Sequence, residues 1–191
     1  SPTNMSPIRF KIVFSREVDG LDVSGLDVTN GLAANLATAD GIVWTVDVTP
    51  LAQGALTLQV KAGAVTAGGK PNPASNVTAV IFDNEAPGGY GVVFLHGSIT
   101  AAAFEIRDGE VGATFSFRIT SSGGGTPVTG TGTIGAGLQQ VTGLDLSGLA
   151  DGTLTLSVIL TDALGNAGQP ATATMMKDIA PPIILSVTPP A

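Results

Sequence analysis

The stretch Gly152-Thr153-Leu154-Thr155-Leu156-Ser157-Val158 carries an apolar residue at every second position, continued by Leu160, with Thr155 and Ser157 between. A period of two puts Leu154, Leu156, Val158 and Leu160 on one face of an extended chain, the pattern of a half-buried β-strand. Gly54-Ala55-Leu56-Thr57-Leu58-Gln59-Val60 repeats it 98 residues earlier, and a Gly-rich loop follows each copy. Leu-Thr-Leu alternation is common in β proteins, so this match alone says little. It gains weight from a second recurrence, Asp83-Asn84-Glu85-Ala86-Pro87 near the middle of the chain and Asp178-Ile179-Ala180-Pro181-Pro182, 95 residues on. Together the two recurrences indicate tandem repeats.

The rest of the chain reads the same way. Ile8, Phe10, Ile12 and Phe14 share one face, as do Trp44, Val46 and Val48, and Phe115, Phe117 and Ile119. Turn-forming clusters at 19–20, 40–41, 108–109, 123–125 and 151–152 separate these runs. No stretch of about 12 residues sustains a helical period, and 26 glycines would penalise a helix. Short strands at this spacing predict an all-β chain of antiparallel β-sandwiches. The expected domains are 1–82 and 83–180, with 181–191 opening a following repeat. Ile183-Ile184-Leu185-Ser186-Val187-Thr188 follows the second joint as an opening strand would, whereas Ser1-Pro2-Thr3-Asn4 enters the first domain without one. The expectation is a two-domain piece of a longer array, cut out of phase.

Composition excludes several functions. With no cysteine there is no disulfide, thiolate metal site or thiol nucleophile. No apolar run approaches the ~20 residues of a transmembrane helix, and nothing resembles a signal peptide, so the expectation is a chain without membrane insertion. The net charge of −7 is uneven: residues 1–82 carry −1 and the remainder −6. Such a surface repels nucleic acid and anionic lipid, which require clustered Lys or Arg. Divalent cations are its natural partners.

The acids at the joint point the same way. Proline fixes its own φ and pushes the preceding residue toward extended geometry, so an acidic pair followed by Ala-Pro makes a stiff joint whose carboxylates crowd unless a cation sits between them. Chain order gathers further ligands. With strands at 90–96, 102–106, 113–120, 153–161 and 171–176, the turns around Glu110 and Asp162 lie at the end where the linker enters. Asp83, Glu85, Glu110, Asp162 and Asn166 then converge, with Asp108 a weaker candidate. These side chains supply the oxygens that calcium takes, ~6–8 at ~2.3–2.6 Å. The plainer alternative is that Asp-Gly and Gly-Asn simply make good turns with solvated acids.

A family resemblance rests on Phe14-Ser15-Arg16-Glu17-Val18 and Val28-Thr29-Asn30-Gly31 in the first half. In the second half it rests on Glu110-Val111-Gly112-Ala113-Thr114, on Leu144-Asp145-Leu146-Ser147-Gly148-Leu149-Ala150-Asp151-Gly152 and on Thr161-Asp162-Ala163-Leu164-Gly165-Asn166. Throughout its length the chain resembles the tandem bacterial immunoglobulin-like extender domains of giant repetitive surface adhesins of the biofilm and RTX type. The resemblance implies two tandem immunoglobulin-like antiparallel β-sandwiches, calcium as the rigidifying ion, and a non-enzymatic stalk of a secreted adhesin on a Gram-negative cell surface, supporting adhesion and biofilm formation. The first half departs from the pattern, with Thr66-Ala67-Gly68-Gly69-Lys70-Pro71-Asn72 in place of the Asp-x-x-Gly-Asn loop.

Other motifs lead nowhere. Gly130-Thr131-Gly132-Thr133-Ile134-Gly135 matches the dinucleotide fingerprint without a βαβ context, and 63–70 misses the phosphate-loop spacing. His96 is the only histidine, which argues against a transition-metal site. Glu105 and Glu110 lack the aromatic-rich cleft that a glycosidase pair needs. The expected partners are therefore neighbouring repeats of the same protein and, through 183–188, a head-to-tail copy of the chain. The alternative reading is an immunoglobulin-like carbohydrate- or protein-binding module at the cell surface.

Overall fold

The structure, a computed structural model, describes residues 2–95 and 97–186. His96, Val187 and Thr188 lie outside the described residues. The chain divides into two compact units, Ser1–Glu85 and Ala86–Ala191. Both are built from antiparallel strands, and the described residues contain no α-helix, hence none long and apolar enough to cross a membrane.

The first unit contains β1 (Ile8–Val13), β2 (Leu26–Thr29), β3 (Gly31–Thr38), β4 (Val43–Pro50), β5 (Gly54–Val60), β6 (Thr66–Ala67), β7 (Lys70–Pro71) and β8 (Thr78–Phe82). They form sheets β1-β4-β3 and β2-β5-β8, with β6 and β7 a separate hairpin. The alternation read from the sequence becomes the interior: Phe10 and Ile12 of β1 and Trp44, Val46 and Val48 of β4 share one core with Leu56, Leu58 and Val60 of β5.

The second unit contains β9 (Gly91–Leu95), β10 (Ala102–Arg107), β11 (Thr114–Ser121), β12 (Val128–Thr133), β13 (Leu138–Leu144), β14 (Gly152–Thr161) and β15 (Ala171–Lys177). Its sheets are β13-β10-β9 and β12-β11-β14-β15. Phe104 and Ile106 of β10 meet Phe115, Phe117 and Ile119 of β11 and Leu154, Leu156, Val158 and Leu160 of β14 in one core. The Phe104 and Phe117 rings pack edge to face, 5.0 Å apart at 66°, a geometry their quadrupoles favour. After the second joint no strand forms through residue 186, and Ile183, Ile184 and Leu185 are 78–87% exposed.

The dinucleotide-like glycines have a packing role. Gly130 and Gly132 lie on edge strand β12, in register opposite Phe117 and Phe115. A Cβ on either would come within 2.5 Å of the facing ring, so the phenylalanines lean over bare backbone that any side chain would displace. Similarly, Gly68 and Gly69 turn the β6–β7 hairpin with positive φ, and no phosphate cradle is formed there.

Gly132→Val should destabilise the second unit by about 1–3 kcal/mol through overpacking. Gly137→Ala, at an exposed position with open space around it, should change stability by no more than about 0.5 kcal/mol. Urea unfolding of both variants checks the contrast, and equal effects would refute the ring-over-glycine account.

Candidate functional site

The 162–166 loop is closed by its own side chains. Asp162 Oδ1 accepts hydrogen bonds from the Leu164 and Asn166 amides, each at 2.8 Å, and Oδ2 accepts from Asn166 Nδ2 at 2.7 Å. Gly165 supplies the left-handed turn with φ +90°. Burial pushes the Asp162 carboxyl up, but the hydrogen bonds from Asn166, Leu164 and Gly165 outweigh it and hold the group below the usual carboxylate range. A carboxylate has about four acceptor sites, and four donors of the loop already meet this one, so a hard cation would have to displace part of that set.

Register fixes what else shares this end of the second unit. Thr114 at the start of β11 pairs with Thr161 at the end of β14, which brings the turn before β11, with exposed Glu110, to the end occupied by Asp162 and Asn166. The unit's entering segment is there too. Tyr90 Oη donates to the Gln169 carbonyl at 2.5 Å and accepts from the Leu160 amide at 3.2 Å, and residues 86–90 with 167–171 line one shallow pocket. Asp108, also exposed, takes φ +54° in the turn after β10.

Asp83 and Glu85 close the first unit. The Asp83 amide donates to the Thr3 carbonyl at 2.9 Å, and its Oδ1 accepts from Gln53 Nε2 at 3.3 Å and from the Glu85 amide at 3.1 Å. Among the described residues, no three Asp, Glu or His side chains gather around a point able to hold a metal ion. The structure thus brings Asp162 and Asn166 into contact, sets Glu110 at their end of the unit, and places Asp83 and Glu85 in the other unit.

In the first unit, an amide closes the loop equivalent to 162–166. Asn72 Oδ1 accepts from the Val65 amide at 2.9 Å, and Nδ2 donates to the carbonyls of Lys61 and Pro73 at 2.8 and 2.7 Å. Sequence reasoning gave no structural role to three further polar groups in the two units. Arg9 clamps Asp47 through Nε (2.7 Å) and Nη2 (3.0 Å), Arg107 Nε meets Glu105 at 2.6 Å, and the buried Lys177 ammonium donates to the carbonyls of Leu146, Ser147 and Leu149. Asp47 and Glu105 sit on the outward face of their strands, alternating with the core residues, and the available signal was an arginine on the same face, Arg9 across the pairing and Arg107 two residues on.

Residues 4–80 match the family model described as the bacterial Ig-like domain. No curated protein sequence matches the chain. Among solved structures, it is similar to a tetra-tandem repeat in the extending region of a large adhesion protein, at 21% identity and TM-score 0.44. That likeness takes in 89% of this chain, which spans about half, 49%, of the other. It is also similar to the dimeric latent PorU of Porphyromonas gingivalis, at 13% identity, 89% and 18% coverage and TM-score 0.34. A third similarity is to the fibronectin(III)-like modules of CbhA from Clostridium thermocellum, at 16% identity, 92% and 86% coverage and TM-score 0.38.

The two ion pairs make stability depend on acid in a defined direction. Arg9 first, and Asn35 second, hold the Asp47 carboxyl below its ordinary 3.8. Arg107 holds Glu105 below its ordinary 4.5. A depressed folded-state pKa means that each contribution is complete above the ordinary value and is lost as pH falls below it. Asp47→Asn and Glu105→Gln should each lower stability at neutral pH and flatten the decline below about pH 4.5. Thermal melts from neutral to acid pH would show this, and parallel curves for variant and parent would contradict it.

Proposed function

We propose that this chain is a non-enzymatic structural extender, a stalk segment of a secreted bacterial surface adhesin that holds a binding module away from a Gram-negative cell and supports adhesion and biofilm formation. The observation that carries the reading is the recurrence of an acidic Ala-Pro joint, at 83–87 and 178–182, bounding an antiparallel β unit whose predecessor matches the bacterial Ig-like domain. A repeated joint is what an array requires, and neighbouring repeats are then the immediate partners.

The proposed ion is calcium, with Asp83, Glu85, Glu110, Asp162 and Asn166 as ligands. Support comes from the donor chemistry: carboxylates and an amide are the oxygens a hard cation selects. Asp162 and Asn166 are already drawn together by the loop. When bound, calcium would neutralise these acids and stiffen the joint. Asp162 would orient the loop, while Ala86 and Pro87 would limit the backbone to extended geometry.

The aromatic side chains weigh against sugar binding. None of Trp44, Tyr90 or the seven phenylalanines is exposed, and Trp44 Nε1 is engaged with the Gly41 carbonyl at 3.1 Å. A ring-stacking platform for a saccharide therefore has no side chain to build it.

Calcium at ten times its Kd should stabilise the native state by about 1.4 kcal/mol, raising Tm by several degrees. Small-angle scattering should show the particle becoming more uniformly extended as the ion is added. Asp162→Ala and Asp83→Ala should abolish most of the response. Superimposable melting and scattering curves in chelator and in millimolar calcium would sink the calcium reading.

A further inference from the structure

Strand β14 begins at the end of the second unit opposite to the 162–166 loop, and there its first residue, Gly152, pairs with Lys177. Lys177 is buried, and its ammonium donates to the carbonyls of Leu146 (3.2 Å), Ser147 (3.4 Å) and Leu149. An ammonium has three donors and no acceptor, so three carbonyls match it in number. Among the described residues it forms no ion pair. The polar surplus beside this rung is negative: Asp151, which precedes Gly152, has one buried oxygen without a hydrogen-bond partner.

The turn that supplies these carbonyls is held by contacts that do not involve the lysine. Leu146 and Leu149 are buried in the core and draw their backbone inward with them. Asp145 Oδ1 accepts from the Ser147 amide at 2.9 Å, and the Leu149 amide donates to the Leu146 carbonyl at 3.2 Å. Ser121 Oγ donates to the Ala150 carbonyl at 2.7 Å, and the Ala150 amide donates to the Gly124 carbonyl at 3.0 Å. The first unit ends the matching ladder differently. There Gly54, the first residue of β5, pairs with Phe82, whose ring is buried. An apolar residue can therefore close this rung, and it would avoid the cost of desolvating a charge.

We propose that the 145–149 turn is a cation site whose resident ion is the chain's own Lys177 ammonium. Convergent backbone carbonyls are ligands that bare metal cations also accept, and here removal of the ammonium would leave buried oxygens unsatisfied. Because this cation is tethered, it neither exchanges with ions in solution nor responds to a chelator. Beside the calcium proposed at the other end of β14, it confines ion dependence to the end that carries Asp162. That contrast rests on the calcium reading, whereas the site itself does not.

Chemical rescue tests the site, with the full chain kept in chelator throughout. Lys177→Ala should lower Tm by several degrees and leave room for the atoms removed. Propylammonium, which restores the missing stem and its ammonium, should raise the variant's Tm steadily with concentration, as a ligand of the native state alone does. Tetramethylammonium, equally charged but without an N–H donor, should not. Each shift is read against the parent in the same salt. Lys177→Met, which keeps a long side chain but removes the charge, should be less stable than the parent and gain nothing from propylammonium. Rescue of the alanine variant by both ions alike, rescue by neither, or a Lys177→Met variant as stable as the parent overturns the proposal. Should the alanine variant not fold, acetylation of the native chain decides. The exposed Lys11, Lys61 and Lys70 should react while Lys177 does not, and labelling of Lys177 at a comparable rate overturns the site. Because chelator is present, no outcome bears on the calcium reading.

Discussion

Each unit depends on one strand buried on its inward face and hydrogen-bonded on both sides. In the second unit this is β14, whose Leu154, Leu156, Val158 and Leu160 are wholly inaccessible while it pairs with β11 and β15. In the first it is the shorter β5, with Leu56, Leu58 and Val60 inward, between β2 and β8. A slip of one residue would turn every one of these side chains to the opposite face. The register of the neighbouring strands, and through it the placement of Glu110 beside the 162–166 loop, follows from that single constraint.

Charged groups covered on the outer face of a sheet are tolerated only where partners meet them. Asp47 and Glu105 each lie on the outward face of a strand whose other face is apolar, and each is covered there by an arginine and an amide, Asn35 in one case and Gln140 in the other. The two units thus satisfy the same need with different residues on different strands. The arginine and amide partners fix which neighbouring chain can lie alongside, which an apolar pair of the same volume would not do.

Periodicity made the all-β class and the inward faces of β1, β4, β5, β11 and β14 legible, because burial on one side of a pleated strand leaves a trace at every second residue. The loop 162–166 was legible too, since Asp and Asn four apart around a glycine can close a turn by themselves. Lys177 left no such trace. Its partners are backbone carbonyls of Leu146, Ser147 and Leu149, and a carbonyl belongs to every residue, so nothing in the sequence marks those. The role of Gly130 and Gly132 was hidden for a related reason: their meaning lies in Phe117 and Phe115, across a strand pairing that the glycines do not themselves announce.

Lys177 is the last residue of β15, and Asp178 begins the chain that leaves the unit. Tension applied from beyond Asp178 would meet the hydrogen bond from the Ile179 amide to Asp151 Oδ2 and then Lys177, where the ladder pair with Gly152 and a side chain that is 2% exposed and hooked to three carbonyls share the load. Drawing that ammonium out breaks its three hydrogen bonds together, a cost larger than that of one backbone hydrogen bond. The last rung of β15 is accordingly held from its side chain as well as from its backbone.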